Sequence, residues 1–215
     1  MGKALLGVLA VILLLVLIIG GWTAGKYNGL VASRNNVDAK WAQVENNLQR
    51  RADLIPNLVA TVQGYATQEK DVLLGVTEAR SRVGSMKVDE SVLNNPQAMQ
   101  NFQKAQGELS SALSRLLVVS ENYPQLKSDA NFRELQSQLE GTENRITVAR
   151  KRYTESIEGY NILTRQFPTN LTAMLFSYSV KPQFTVENEK AISVAPKVDF
   201  GAKPAPAPAP APATK

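Results

Sequence analysis

Three charged residues, Arg34, Arg51 and Glu69, occupy a register otherwise filled by apolar side chains. That register runs from Leu30 through Val37, Trp41, Val44, Leu48, Ile55, Leu58, Val62, Tyr65 and Val72 to Val76. Further along, Glu143, Arg145 and Arg150 fall on or beside a second apolar stripe. Charge on a helix seam forms a buried ion network, which gates a movement, seats a charged ligand, or fixes which helix faces which. An intact buried pair adds little net stability, but losing one partner costs roughly 3–5 kcal/mol. Register specification is therefore the expected role, and Arg side chains snorkelling to the surface are the plainer one. Arg150-Lys151-Arg152 is followed by Glu155 and Glu158 at helical spacing, which reads as a solvated face rather than a lipid contact. Asp89-Glu90 falls in an expected loop, and ordinary solvation accounts for it.

The composition removes most other chemistry. The chain has no Cys and no His, so disulfides, thiolates and Cys or His zinc sites are excluded, and the commonest general base is missing. Gly-rich phosphate loops and Gly-x-Ser-x-Gly elbows do not occur. No catalytic, cofactor or metal site is expected, and the chain reads as non-enzymatic. The formal charge of +5 does not mark a nucleic-acid binder either. Lys3, Lys26, Lys203 and Lys215 lie outside residues 27–200, which hold 20 basic against all 19 acidic residues. That near balance leaves no electrostatic footprint for a polyanion.

The elements that must position these charges follow from hydropathy and spacing. No charge interrupts Ala4–Gly25, a run of about 33 Å as a helix, enough for a bilayer core. A cleaved signal peptide has a shorter apolar region and a better cleavage site than Trp22-Thr23-Ala24-Gly25 offers, and no Cys follows for lipidation. Residues 4–25 are thus expected to be an uncleaved, single-pass transmembrane anchor. Residues 27–178 are expected to form a helical bundle. Its first helix should run through Pro56 to Val76 as one kinked helix, Pro56 being a static kink rather than a hinge; a break near Gly64–Thr67 is the alternative. Asn94-Asn95-Pro96 opens the next helix with an Asn cap and a first-turn Pro, its stripe being Met99, Phe102, Leu109, Leu113, Leu116 and Tyr123. Ser128-Asp129 caps a third, carrying Phe132, Leu135, Leu139, Ile146, Tyr153, Ile157 and Tyr160 until Phe167-Pro168. Short connections make neighbours antiparallel, hence an up-and-down bundle with coiled-coil-like seams. Leu171–Phe176 should make a turn or two that cap the bundle core, a second membrane contact or a partner site being the alternative. Residues 179–215 are expected to be an extended, disordered tail, with a Pro-Ala repeat from 203 in polyproline II.

Several stretches together resemble the LemA family of bacterial membrane proteins: Tyr27-Asn28-Gly29-Leu30-Val31, the run Trp41–Val59 including Arg50-Arg51-Ala52-Asp53-Leu54-Ile55-Pro56-Asn57-Leu58, Glu121-Asn122-Tyr123-Pro124-Gln125-Leu126-Lys127, Thr142-Glu143-Asn144-Arg145-Ile146, and Tyr160-Asn161 leading to Phe167-Pro168. Lys181-Pro182-Gln183-Phe184 and Pro196-Lys197-Val198-Asp199-Phe200 resemble that family's ending, whereas the Pro-Ala tail departs from it. The resemblance, over about residues 4–185, implies a membrane helix and a helical bundle and assigns no catalytic residue. Family members in specialised internal membranes such as magnetosomes, or beside membrane proteases and TPM-type domains, imply protein partners.

The expected function is a membrane-anchored scaffold or adaptor of the bacterial envelope, contacting other envelope proteins or further copies of itself. The alternative is a signalling or sensory module that passes a change along the juxtamembrane helix. Lys26, Arg34 and Lys40 outweigh Lys3 and the N-terminal amine, which favours a cytoplasmic bundle. The short N-terminal segment fits a signal-anchor, however, and the Pro-Ala tail resembles periplasmic spacers, so a periplasmic bundle on the cell (inner) membrane is expected.

Overall fold

The computed structural model describes residues 2–86 and 90–183. Among them there are helices and turns and no strand. The Pro-Ala repeat, Pro196–Phe200 and Asp89 lie outside the described residues.

Helix α1 runs unbroken from Gly2 to Tyr65, about 96 Å at 1.5 Å per residue. Its large side chains from Leu5 to Ile19 are bare, each at least half exposed. Among the described residues it is the one helix long and apolar enough to cross a membrane. Burial begins at Leu30. The remaining elements are α2 (Lys70–Ser85), α3 (Glu90–Asn94), α4 (Pro96–Ser120), α5 (Pro124–Ser128), α6 (Ala130–Arg165) and α7 (Thr169–Leu175). α1 packs chiefly on α6, and α2 on α4. Side-chain contacts set the directions: Tyr65 meets Asp129 and Trp41 meets Tyr153, so α6 runs antiparallel to α1. Phe102 against Trp41, with Leu113 beside Val62 in one cluster, makes α4 parallel to α1. The result is an all-α, up-and-down four-helix bundle.

The first helix does not continue to Val76. It ends at Tyr65, the turn falling at residues 66–69, and three long helices become four. Burial decides this. Folding back at Ala66 lets α2 cover Leu73, Val76 and Ala79 against the bundle, where a large aliphatic side chain gains about 1.5–3 kcal/mol. A straight helix would leave them in water. The break itself costs little, because Ala66 N–H still reaches Val62 O at 2.8 Å and Leu73 N–H reaches Glu69 O at 3.1 Å. Tyr65 and Glu69 therefore leave the seam; Tyr65 is 44% exposed.

Pro56, by contrast, interrupts nothing: α1 passes through it with the ring exposed. A proline frees the carbonyl four residues before it, here that of Ala52. Arg80 of α2 donates its Nε–H to that oxygen at 2.9 Å, so the freed acceptor is satisfied from a neighbouring helix. No spacing rule shows this contact.

Both caps form as the sequence predicts. Asn95 Oδ1 accepts from Gln97 N (3.0 Å) and Ala98 N (3.2 Å), and Asp129 Oδ1 accepts from Phe132 N at 2.8 Å. α4 stops at Ser120, three residues short of Tyr123. Pro124 then starts the short α5, whose Leu126 is fully buried.

One expectation fails at the end next to the apolar segment. α7 does not cap the core with its large side chains: it buries Thr169, Thr172 and Ala173 and turns Leu171, Met174 and Leu175 outward. Residues 179–183, expected in the tail, lie extended along α6. There Asn161 holds both backbone groups of Lys181, accepting its N–H at 2.8 Å and donating to its O at 2.9 Å. Tyr160 donates to Ser179 O, and Lys181 Nζ to Asn94 Oδ1.

Candidate functional site

The core is two apolar clusters, with Arg51 between them. One contains Ile55, Leu58, Val62, Leu109, Leu113 and Leu139. The other contains Trp41, Leu48, Phe102, Ile146, Tyr153 and Ile157. On each of three helices the clusters part across a seven-residue interval: Leu48 to Ile55, Phe102 to Leu109, Leu139 to Ile146. Arg51, Gln106 and Thr142 fill those intervals, and all three are buried. The polar layer thus sits at one level of the bundle.

Arg51 is 1% exposed. Its guanidinium donates from Nη1 to Glu143 Oε1 at 2.8 Å and to Ser110 Oγ at 3.0 Å. Nη2 donates to Gln106 Oε1. One side chain of α1 therefore ties α4 and α6 together. Glu143 is less enclosed, its side chain 38% exposed, so the ion pair opens toward solvent beside Ser110. Arg150 lies close enough to feel both charges. Burial, then the positive Arg51, pull its guanidinium below the usual range, while Glu143 pushes it back up. An arginine stays protonated under such shifts. Glu143 therefore lies near two fixed cations.

The other charges of the seam do not join this layer. Glu69 sits in the turn before α2, where Tyr123 donates to Oε1 at 3.1 Å. Burial and that carboxylate raise the Tyr123 phenol. Arg34 is at the opposite end, near Tyr160 and Tyr178, whose phenols its charge lowers against the larger upward push of burial. Arg145 is exposed and borders an open groove of ≈ 540 Å³ between α1 and α6, with Gln43, Asn46 and Arg152. Lys151 pairs with Glu155 at 3.9 Å on the surface. Pro56 stands one turn from Arg51, supported through Arg80. Sequence reasoning missed Gln106, Ser110 and Thr142. Yet the gap between Phe102 and Leu109 in an otherwise 3-4 stripe was a signal for Gln106.

A membrane-length apolar helix leading without a break into a bundle with this polar layer is the pattern to be compared with known proteins. The LemA family model matches residues 40–200. The chain belongs to the LemA family. Its similar relatives include the magnetosome protein MamQ of Magnetospirillum gryphiswaldense, 25% identical over 169 residues, which cover 71% of this chain and 62% of that protein. Two magnetosome proteins of Paramagnetospirillum magneticum, MamQ 1 and MamQ 2, are 26% identical over the same shares. The LemA chain thus spans less than two thirds of the length of these curated relatives.

Proposed function

We propose that this LemA-family chain is a membrane-anchored, non-catalytic scaffold or adaptor of the bacterial envelope, single-pass in the cell membrane with its bundle on the periplasmic side. The observation that carries the reading is the continuity of α1, whose apolar half and bundle half form one helix from Gly2 to Tyr65. Such a helix holds the bundle at a fixed distance and direction from the bilayer. The polar layer supports the same reading. Both Nη groups of Arg51 find acceptors within the chain, although its buried Nε–H has none among the described residues, and these bonds to α4 and α6 fit a group that sets helix register. The exposed groove lined by Gln43, Asn46, Arg145 and Arg152 supplies a polar face for partner proteins.

The test is crosslinking in intact cells, followed by mild-detergent purification and mass spectrometry. Reproducible partners, lost when Arg145 and Arg152 are reversed in charge while the bundle still melts normally, support the adaptor. Recovery of the chain alone sinks it. The unbroken helix also favours a second reading, a module that transmits a change along α1. That reading requires two populated bundle arrangements, which distance measurements between spin labels on α2 and α6 would resolve.

A further inference from the structure

The bundle has one face built inside out. α7 packs Thr169, Thr172 and Ala173 inward and leaves Leu171 54%, Met174 76% and Leu175 72% exposed. Phe167, just before it, is 74% exposed, and Phe176, just after, 48%. No charged residue occurs between Arg165 and Lys181. An amphipathic helix of a soluble bundle points its large apolar residues the other way, and a contiguous exposed patch of this kind marks an interaction surface.

Its position identifies what it meets. The Phe176 ring lies 4.6 Å from the Tyr27 ring, centroid to centroid, and Tyr178 flanks the same tyrosine at 6.2 Å. Tyr27 follows directly on Lys26, whose ammonium sits 5.9 Å over the Trp22 ring. A Trp beside a Lys at the end of an apolar run is an interfacial anchor. From Trp22 to Tyr27 the helix rises only about 7.5 Å, within the headgroup layer, which is some 5–8 Å deep on each side of the hydrocarbon core. The patch is therefore at headgroup level and continuous with the apolar wall of α1.

We infer that α7 and its flanks form a second, monotopic membrane contact. Phe167, Leu171, Met174, Leu175 and Phe176 enter the boundary between headgroups and acyl chains beside the exit of α1. The occupant is the lipid surface itself. This rests on reading α1 as a membrane anchor. It adds that the bundle stands on two feet, one spanning and one lying in the interface, which fixes its tilt and its rotation about α1. An in-plane helix of this kind sinks about 5–10 Å into the boundary, a depth the outward side chains of a two-turn helix can reach.

The absence of cysteine makes the test direct. Full-length protein with a single cysteine, Met174→Cys or Leu175→Cys, is labelled with the environment-sensitive fluorophore NBD. It is reconstituted in vesicles of phosphatidylcholine and phosphatidylglycerol. Leu14→Cys reports on the anchor, and Val118→Cys, 69% exposed on α4 far from α7, reports on water. The expected result is blue-shifted emission at both α7 positions, quenched by doxyl-labelled lipid and sheltered from iodide, while the Val118 label responds only to iodide. If the Leu14 label is in lipid but the α7 labels behave like Val118, the interfacial foot is overturned and the anchor stands. Labels on α7 reached by neither quencher would mean that protein covers the patch, which also overturns it. A Leu14 label outside lipid would bring down the anchor itself, and the foot with it.

Discussion

Two regions of this bundle break the inside-out rule of soluble proteins, in opposite senses. At the level of Arg51 a full charge is buried; at α7, large apolar side chains are exposed. The difference lies in where each group finds its partner. Arg51 is answered within the chain by Glu143, Gln106 and Ser110. The side chains of Leu171, Met174 and Leu175 have no cover among the described residues. A group satisfied internally explains how the fold is specified, whereas a group left unsatisfied explains what the fold is for.

The sharpest way to break this comparison is at the polar layer. Arg51→Ala should cost roughly 3–5 kcal/mol in urea unfolding of the detergent-solubilised chain, because it empties a fully buried position between two apolar clusters and leaves buried Gln106 and part-exposed Glu143 without their donor. Glu143→Ala should cost within the same range, since it strands the buried Arg51 charge with only Gln106 and Ser110 as acceptors. Arg51→Met combined with Glu143→Leu should recover most of the stability, as apolar replacement of both partners of a buried ion pair does. An unchanged midpoint for Arg51→Ala would show that the layer does not hold the helices together.

Next in size is the proline carbonyl. Arg80→Met leaves Ala52 O without its donor and should cost about 1 kcal/mol, the low end for a part-buried acceptor. In a Pro56→Ala background the helix regains its own N–H for that oxygen, and the same substitution should cost less. A double-mutant cycle measures the coupling, expected at roughly 0.5–1 kcal/mol. Equal costs in both backgrounds would mean that Arg80 serves some other purpose.

How much of this was legible in the sequence follows the same division. The α1 seam was readable because its 3-4 spacing holds from Leu30 to Val62, and all its apolar positions are buried. Asn95 and Asp129 were readable as caps because their chemistry is local. The end of α1 was legible only as the alternative break near Gly64–Thr67, since the register continues by coincidence through Tyr65, Glu69 and Val72. Only the tertiary gain of folding α2 onto α4 decides between the two courses. Arg51 was visible as a charge on the seam and Glu143 as one of three candidate partners. Gln106 and Ser110 are neutral and drew no notice. The outward face of α7 was misread because Leu171–Phe176 is apolar, and composition alone does not say which way a two-turn helix faces.

A smaller effect is expected at the far end of the bundle. The Asp129 carboxyl is held below its usual range, first by the Phe132 N–H and further by the Tyr65 hydroxyl, against an opposing push from desolvation. A depressed carboxylate contributes stability that is present above its unfolded pKa, near 3.9, and is lost as pH falls through the lower folded value. The Tyr65 phenol is raised chiefly by the same hydrogen bond. Its contribution is present below the unfolded tyrosine value near 10 and fades as pH rises beyond it. Asp129→Asn should therefore flatten both limbs of a plot of melting temperature against pH. Limbs of unchanged slope would place the acid and alkaline sensitivity elsewhere.

The smallest effect should come from the exposed apolar face of α7. Leu171→Gln, Met174→Gln and Leu175→Gln together remove three exposed hydrophobic side chains while keeping good helix formers in α7. Because those side chains touch water rather than core, bundle stability in detergent solution should change by no more than about 0.5 kcal/mol. A clear loss would mean that α7 packs inward by these residues, and the contrast with Arg51 would collapse. If stability holds, the triple variant separates two quantities that a core substitution would confound: the bundle keeps its fold and loses only its grip on whatever lies beside Tyr27. Reconstituted in vesicles, it should keep its anchor, yet a spin label on α6 should report a wider spread of bundle orientations to the bilayer than in the parent chain. An identical spread would leave the exposed face with no part in holding the bundle upright.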